Sequence, residues 1–129
     1  MQVVLGLGCD RGTAVDTVRT AIRQALDSLG LDESAVTVMA TIDKKADEPA
    51  FLAVSSEQGW PLVCYPAARL AQVNVPNPSE VVRRFMGTPA VAEAAALLAA
   101  GGELLLEKHK YRGDDDRNVT VSVARVKDE

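Results

Sequence analysis

The sequence predicts an α/β fold: a single-domain mixed β-sheet, mostly parallel with a C-terminal antiparallel hairpin, and helices on both faces. Three observations carry this expectation. Val3 to Thr13 runs from an apolar, β-prone segment through Gly6, Gly8 and Gly12 into a helical pattern, which reads as strand, tight loop and helix. The short β-branched run Val36–Ile42 follows, and a strand–helix–strand order implies a parallel pair joined by a right-handed crossover. Near the C-terminus, Leu104–Tyr111 and Asn118–Val126 lie on either side of a turn containing Gly113 and Asp114 to Asp116, as in a hairpin. At 129 residues the chain has the length of one domain, 1–129, long enough to bury a real core.

The elements follow in order. After the glycine loop, Val15, Val18, Ile22, Ala25, Leu26 and Leu29 recur at three- and four-residue steps between Arg19, Arg23 and Asp27, the stripe of a helix lying on a sheet, with Gly30 as its stop. Thr13 and Asp16 approximate a capping box, so the helix is expected to start at Thr13 with its free N–H groups aimed at the loop, where they favour anions. Beyond Ile42 the charged stretch Asp43 to Glu48 leads into a helix through Phe51, Leu52, Val54 and Ser55, with Pro49 in its first turn. Gln58-Gly59 ends that helix. Pro61–Tyr65 reads as a third strand, and Pro66 to Val73 as one or two helical turns.

Val75-Pro76-Asn77-Pro78 is a rigid non-helical loop, because each proline disfavours the helical region for its predecessor. Ser79 caps a helix from Glu80 to Met86, Gly87-Thr88-Pro89 breaks it, and Val91–Ala100 resumes as an alanine-rich helix thin enough to pack its backbone close to a neighbour. Glu93 is the one charge in that helix and is expected to face solvent. Gly101-Gly102 closes it.

Composition narrows function. A net charge of −4 argues against nucleic acid binding by the whole surface, and with aromatics at 4% there is little platform for base stacking. No apolar run has the length of a membrane span and no leader pattern opens the chain, so the protein is expected in the cytoplasm, with no membrane partner. Cys9 and Cys64 lack a CxxC neighbour and are expected as free thiols. With His109 the single histidine, no metal and no cofactor are expected. The glycines at i, i+2 and i+6 miss the i, i+2, i+5 spacing of a dinucleotide loop, and Arg11-Gly12-Thr13 is not the Gly-Lys-Ser/Thr of a phosphate loop.

Ligands of open sheets lie beyond the carboxyl ends of the parallel strands. Gly8 to Gly12, Asp43 to Glu48 and Lys108 to Arg112 all follow or finish strands, so they are expected to share one rim. There Gly8, Cys9, Arg11, Gly12, Thr13, Lys44, Lys45, Lys108 and Lys110 would form a binding site for a carboxylate-rich molecule, cations and helix N–H groups together. The titratable candidates for chemistry at this rim are Glu48, Lys45, Asp43 and Cys9. Glu48 could act as a base through water, Lys45 could neutralise an oxyanion, and the N–H groups of Gly8 to Gly12 could form its hole. Cys9 is either a nucleophile, should the helix terminus and Arg11 lower its pKa, or only a small packed wall. His109 reads as an exposed strand residue between two lysines.

Taken together, Gly6-Leu7-Gly8-Cys9 with Arg11-Gly12, Thr41-Ile42-Asp43-Lys44-Lys45-Ala46-Asp47-Glu48-Pro49, Pro78-Ser79-Glu80-Val81-Val82, Val91-Ala92-Glu93-Ala94-Ala95-Ala96-Leu97, Leu105-Leu106-Glu107-Lys108-His109-Lys110 and Val119-Thr120-Val121-Ser122-Val123-Ala124-Arg125 resemble the successive blocks of the CobE/CbiG C-terminal family of cobalamin (vitamin B12) biosynthesis. The match covers nearly the whole chain, which most resembles the stand-alone CobE type. The resemblance implies a place in the middle of corrin-ring construction. The longer CbiG proteins open the ring lactone of cobalt-precorrin-5A and expel acetaldehyde; for a chain of this domain alone, the resemblance implies binding a precorrin or hydrogenobyrinic-acid-like tetrapyrrole. A second expectation is a noncatalytic module or escort that assembles with another pathway enzyme through an exposed apolar face of the Val91–Ala100 helix.

Overall fold

The computed structural model describes residues 1–73 and 91–127. The loop expected at Val75 to Pro78 and the helix expected from Glu80 to Met86 lie outside the described residues. The elements are β1 (Val3–Cys9), α1 (Val15–Ser28), β2 (Val36–Ile42), α2 (Pro49–Gln58), β3 (Leu62–Tyr65), α3 (Ala67–Leu70), α4 (Val91–Ala100), β4 (Gly101–Arg112) and β5 (Asn118–Val126), with a short 3-10 turn over Asp43–Lys45. The five strands form one open sheet in the order β3-β2-β1-β5-β4. β1 pairs parallel with β2, and β2 with β3; β5 is antiparallel to both β1 and β4. Only β5 therefore runs against the rest, and β4 ends at the same rim as the parallel strands.

The period of two along β1 divides the core. Val3, Leu5 and Leu7 pack with Val18, Ile22 and Leu26 of α1 and with Phe51 and Val54 of α2, while Val4 packs on the other side with Ala40, Ile42, Leu70 and the alanines of α4. Each large side chain so buried contributes on the order of 1.5–3 kcal/mol. Ordering a loop beyond the sheet is thus a small cost against a scaffold covered on both faces.

Gly6 sets how close α4 sits. A Cβ at that position would lie 1.9 Å from the Ala92 carbonyl oxygen and 2.8 Å from the Ala96 Cβ, so the helix backbone rests directly on the strand. Its alanines make this possible, having no side chain to hold the backbones apart. Its buried residues include Ala92, Glu93, Ala94, Ala95 and Ala96, so the face that an interaction module would expose is used by the sheet. Met1 and Leu52 are the exposed large hydrophobic residues among the described ones.

The start of α1 departs from expectation. The helix begins at Val15 with Ala14 as its cap residue, and no side chain of that cap serves it. Thr13 instead turns its hydroxyl back to donate to the Asp10 carbonyl at 2.5 Å. The cap comes from the β4–β5 turn: Ala14 N–H donates to Asp115 Oδ2 at 2.8 Å, and Thr17 Oγ1 donates to Asp115 Oδ1 at 3.0 Å. Asp115 thereby supplies the oxygen that the capping box would have supplied locally, and it occupies the terminus expected to attract a ligand anion.

Candidate functional site

The loops after β1 and β2 meet because their strands are parallel neighbours. Arg11 ties them together: Nη1 lies 2.9 Å from Asp47 Oδ1, and the guanidinium also donates to the Lys44 carbonyl. An ion pair this exposed adds little stability, so its consequence is geometric. It fixes the two loops side by side at the carboxyl end of the sheet. Gly12, at φ +75°, makes the left-handed turn that returns the chain toward α1.

Beneath that bridge lies Glu48, fully buried. Arg11 Nη1 stands 3.6 Å and Lys45 Nζ 3.9 Å from its Oε1. Neither carboxylate oxygen has a hydrogen-bond partner in the structure. A buried carboxylate held only by cations at these distances is costly, and such unsatisfied atoms are few in folded proteins. Glu48 owes its position to Pro49: it is the cap residue of α2, extended at φ −67° and ψ 116°, and proline at the first helical position fixes that entry.

Cys9, at the end of β1, belongs to the same neighbourhood. Burial pushes its thiol up, and the Glu48 and Asp10 charges push the same way, against a hydrogen bond with Thr13 and the positive charge of Lys45. The lowered pKa considered for a nucleophile is therefore not what its surroundings produce; the loss of water around the sulfur outweighs the cations. Asp43 is exposed and its charge raises the Cys64 thiol, beneath desolvation as the larger cause. Lys44 is exposed as well.

Lys108 and Lys110 stand apart from this cluster, toward the sheet face covered by α4. Lys110 pairs in register with Thr120, which pairs with Gly8, so the three lie in one row across β4, β5 and β1. A Cβ on Gly8 would meet nothing within 4 Å. Gly8 and Thr120 are half-buried and Lys110 is exposed, while α4 rests its first turn on Gly6, two residues before Gly8. Lys108 pairs instead with Glu93 of α4, Nζ to Oε1 at 3.2 Å. Glu93 is 0% exposed, which corrects the solvent-facing expectation: it lies where α4 meets β4, and the lysine supplies its counter-charge. His109 points to the opposite face, half-buried, with Nε2 2.7 Å from Gln24 Oε1 of α1.

Among the candidates chosen from sequence, the structure thus brings Cys9, Arg11, Thr13, Lys44, Lys45 and Glu48 to one corner. It sets Gly8 and Lys110 in an adjoining row, and Lys108 beside that row. Glu93 and Thr120, not among those candidates, adjoin them: Glu93 through Lys108, and Thr120 between Gly8 and Lys110 in register. Glu93 carried a signal, an isolated acid within an otherwise apolar helix, that burial explains better than exposure. Among the described residues no three His, Cys, Asp or Glu side chains converge as a metal site, and no helix is long and apolar enough to cross a membrane.

A mixed sheet with charged loops at the carboxyl ends of its parallel strands and helices on both faces defines a small α/β domain. Residues 3–124 match the family model described as cobalamin synthesis G C-terminus, and the chain belongs to that family. It is 40% identical over 106 residues to Protein CobE of Sinorhizobium, covering 81% of this chain and 69% of that protein. It is 35% identical over 124 residues to the cobalt-precorrin-5A hydrolase of Priestia megaterium, covering 96% of this chain but 32% of the relative, so it spans about a third of that enzyme. The crystal structure of CobE, from the cobalamin biosynthetic pathway, superposes with a TM-score of 0.78 at 29% identity, covering 98% of this chain and 93% of that one. The chain is a cobalamin biosynthesis protein related to CbiG and CobE.

Proposed function

We propose that the carboxyl rim binds a carboxylate-rich tetrapyrrole, a precorrin-type intermediate near the ring-contraction and deacylation stage. The observation that carries this is the gathering of cations around the end of β1 in a protein of net charge −4: Arg11 and Lys45, which face Asp47 and Glu48, on one side of Gly8, and Lys108, which faces Glu93, with the exposed Lys110 on the other. Acetate and propionate arms would meet these cations while the apolar macrocycle lies over the Gly8–Thr120 row, where no side chain projects from Gly8. The hydrolase named among its relatives supports the choice of substrate class.

The same corner holds parts suited to lactone opening. Neither oxygen of Glu48 makes a hydrogen bond, and Oε2 lies away from the two cations that face Oε1, so this carboxylate would orient and deprotonate a water brought in with the ligand, while Lys45 beside it would neutralise a developing oxyanion. Cys9 contributes a small packed wall. Asp43, exposed on the outer turn, would act only on an arm reaching that far.

Titration with hydrogenobyrinic acid, followed by absorbance and calorimetry, tests the binding. The wild type should bind in the micromolar range, and Lys45→Gln and Lys110→Gln should each weaken it about two- to five-fold, as expected for partly exposed charge contacts. No spectral change and no heat at high micromolar ligand would overturn the reading. Glu48→Gln and Cys9→Ala separate carriage from catalysis. If both support the pathway step at wild-type rates with binding intact, the domain is an escort and Glu48 is not a base.

A further inference from the structure

Resting on the tetrapyrrole reading, we propose that Glu93 gains a proton from solvent when a ligand carboxylate engages Lys108, so that recognition of one acid arm proceeds with proton uptake. In the free protein Glu93 has no exposure to water and its Oε1 lies 3.2 Å from Lys108 Nζ. Lys108 is different: a quarter of its side chain surface, 25%, remains exposed, whereas the glutamate has none, so of the two partners the lysine is the one a ligand arm would meet. An incoming carboxylate competes for that ammonium and adds a negative charge nearby. Both effects disfavour the buried anion, which has no water to fall back on.

Among the described residues the surroundings offer little to offset this. From β4 the ionisable neighbours are Lys108 and Glu107, and Glu107 is a second negative charge that acts against ionisation of Glu93. The residues of β1, β2 and β5 that pack on this side, Val4, Gly6, Ala40, Ile42 and Ala124, carry no ionisable side chain. Tyr65 of β3 packs against the same cluster with Arg69 of α3 over its ring at 5.5 Å. Desolvation already lifts the Glu93 carboxyl above the ordinary range in the free protein, with Lys108 opposing it. Withdrawing that opposition converts the internal pair into a neutral acid beside a lysine that now serves the ligand. One solvent proton joins the Glu93 carboxylate, and the Lys108 ammonium exchanges Glu93 for the ligand carboxylate.

Calorimetric titration of the full chain with hydrogenobyrinic acid, repeated at one pH in buffers of different ionisation enthalpy, measures the protons taken up. Wild type should take up a sizeable fraction of one proton, and its affinity should fall as pH rises, by at most about tenfold per pH unit. Glu93→Gln should still bind, lose that uptake, and show a flatter pH dependence. An infrared difference spectrum of the wild type should show a new protonated-carboxyl band on ligand addition, which needs no variant to fold. Binding without proton uptake, or an uptake unchanged in Glu93→Gln, would overturn the proposal and leave the tetrapyrrole reading standing. Absence of any binding would overturn both.

Discussion

Gly6→Ala should loosen α4 from the sheet, and the structure sets the scale of the effect. The new Cβ would sit 1.9 Å from a main-chain oxygen, Ala92 O, and 2.8 Å from the Ala96 Cβ, so no rotamer change can relieve it. The helix must move outward by more than about 1 Å, a gap that forfeits up to about half of the dispersion at the contacts opened. Ala94, Ala95 and Ala96, all at 0% exposure, lie along that seam. Overpacking of this kind costs roughly 1–3 kcal/mol, and collision with backbone places Gly6→Ala at the upper end or beyond. At this chain length about 3 kcal/mol corresponds to a fall in Tm of roughly 10 °C. Urea and thermal unfolding should be compared with Gly8→Ala, where the added methyl meets nothing within 4 Å and the change should stay within about 0.5 kcal/mol of wild type or slightly stabilise. Equal stability of the two variants would refute the packing of α4 on β1.

Other outcomes follow from single contacts. Asp115→Asn should lower Tm through the α1 terminus; because its neighbours hold the Asp115 carboxyl below its usual range, its contribution is complete above about pH 4 and is lost as pH falls through the lowered folded value, which an acid titration of stability will show. Glu93 has the opposite sign: its raised carboxyl lets stability decline as pH climbs from the ordinary 4.5 through the folded value, and Glu93→Gln should abolish that decline in pH-dependent unfolding. Cys9 should react slowly with iodoacetamide at neutral pH and accelerate only in alkaline solution, since its thiol is pushed up; fast alkylation at pH 7 would contradict the burial seen.

The legible parts of the fold were those governed by neighbours in sequence. Val15 to Leu26 announce α1 by their spacing, Pro49 and Gly59 bracket α2, and the alternation in Asn118–Val126 gives β5 its inward face. What escaped depended on residues brought together by topology. Asp115 serves Ala14 across 101 positions, so nothing near Thr13 could reveal it, and Thr13 satisfied the local capping pattern while its hydroxyl went elsewhere. Glu93 reads as solvent-facing because it is the one charge in an apolar helix, and its partner Lys108 lies fifteen positions away on β4. Arg11 was legible as a rim cation, but its carboxylate partners Asp47 and Glu48 became visible only once β1 and β2 were parallel neighbours. The corner of the site formed by loops after adjacent parallel strands was readable from strand order alone; its division into two cation groups was not.

The most direct test of where the ligand sits is amide chemical-shift mapping of the 15N-labelled protein during titration with hydrogenobyrinic acid. Binding at the carboxyl rim should perturb Gly8, Cys9, Arg11, Gly12, Lys45, Lys110 and Thr120 first and most. The opposite end of the molecule offers a competing cleft lined by Arg23, Leu26, Asp27, Leu31, Asp32, Glu33 and Ser34, whose three acids disfavour a polycarboxylate and whose arginine is already 3.3 Å from Glu33. Saturable shifts confined to that cleft, with Gly8 and Lys110 unmoved, would contradict a ligand site at the rim.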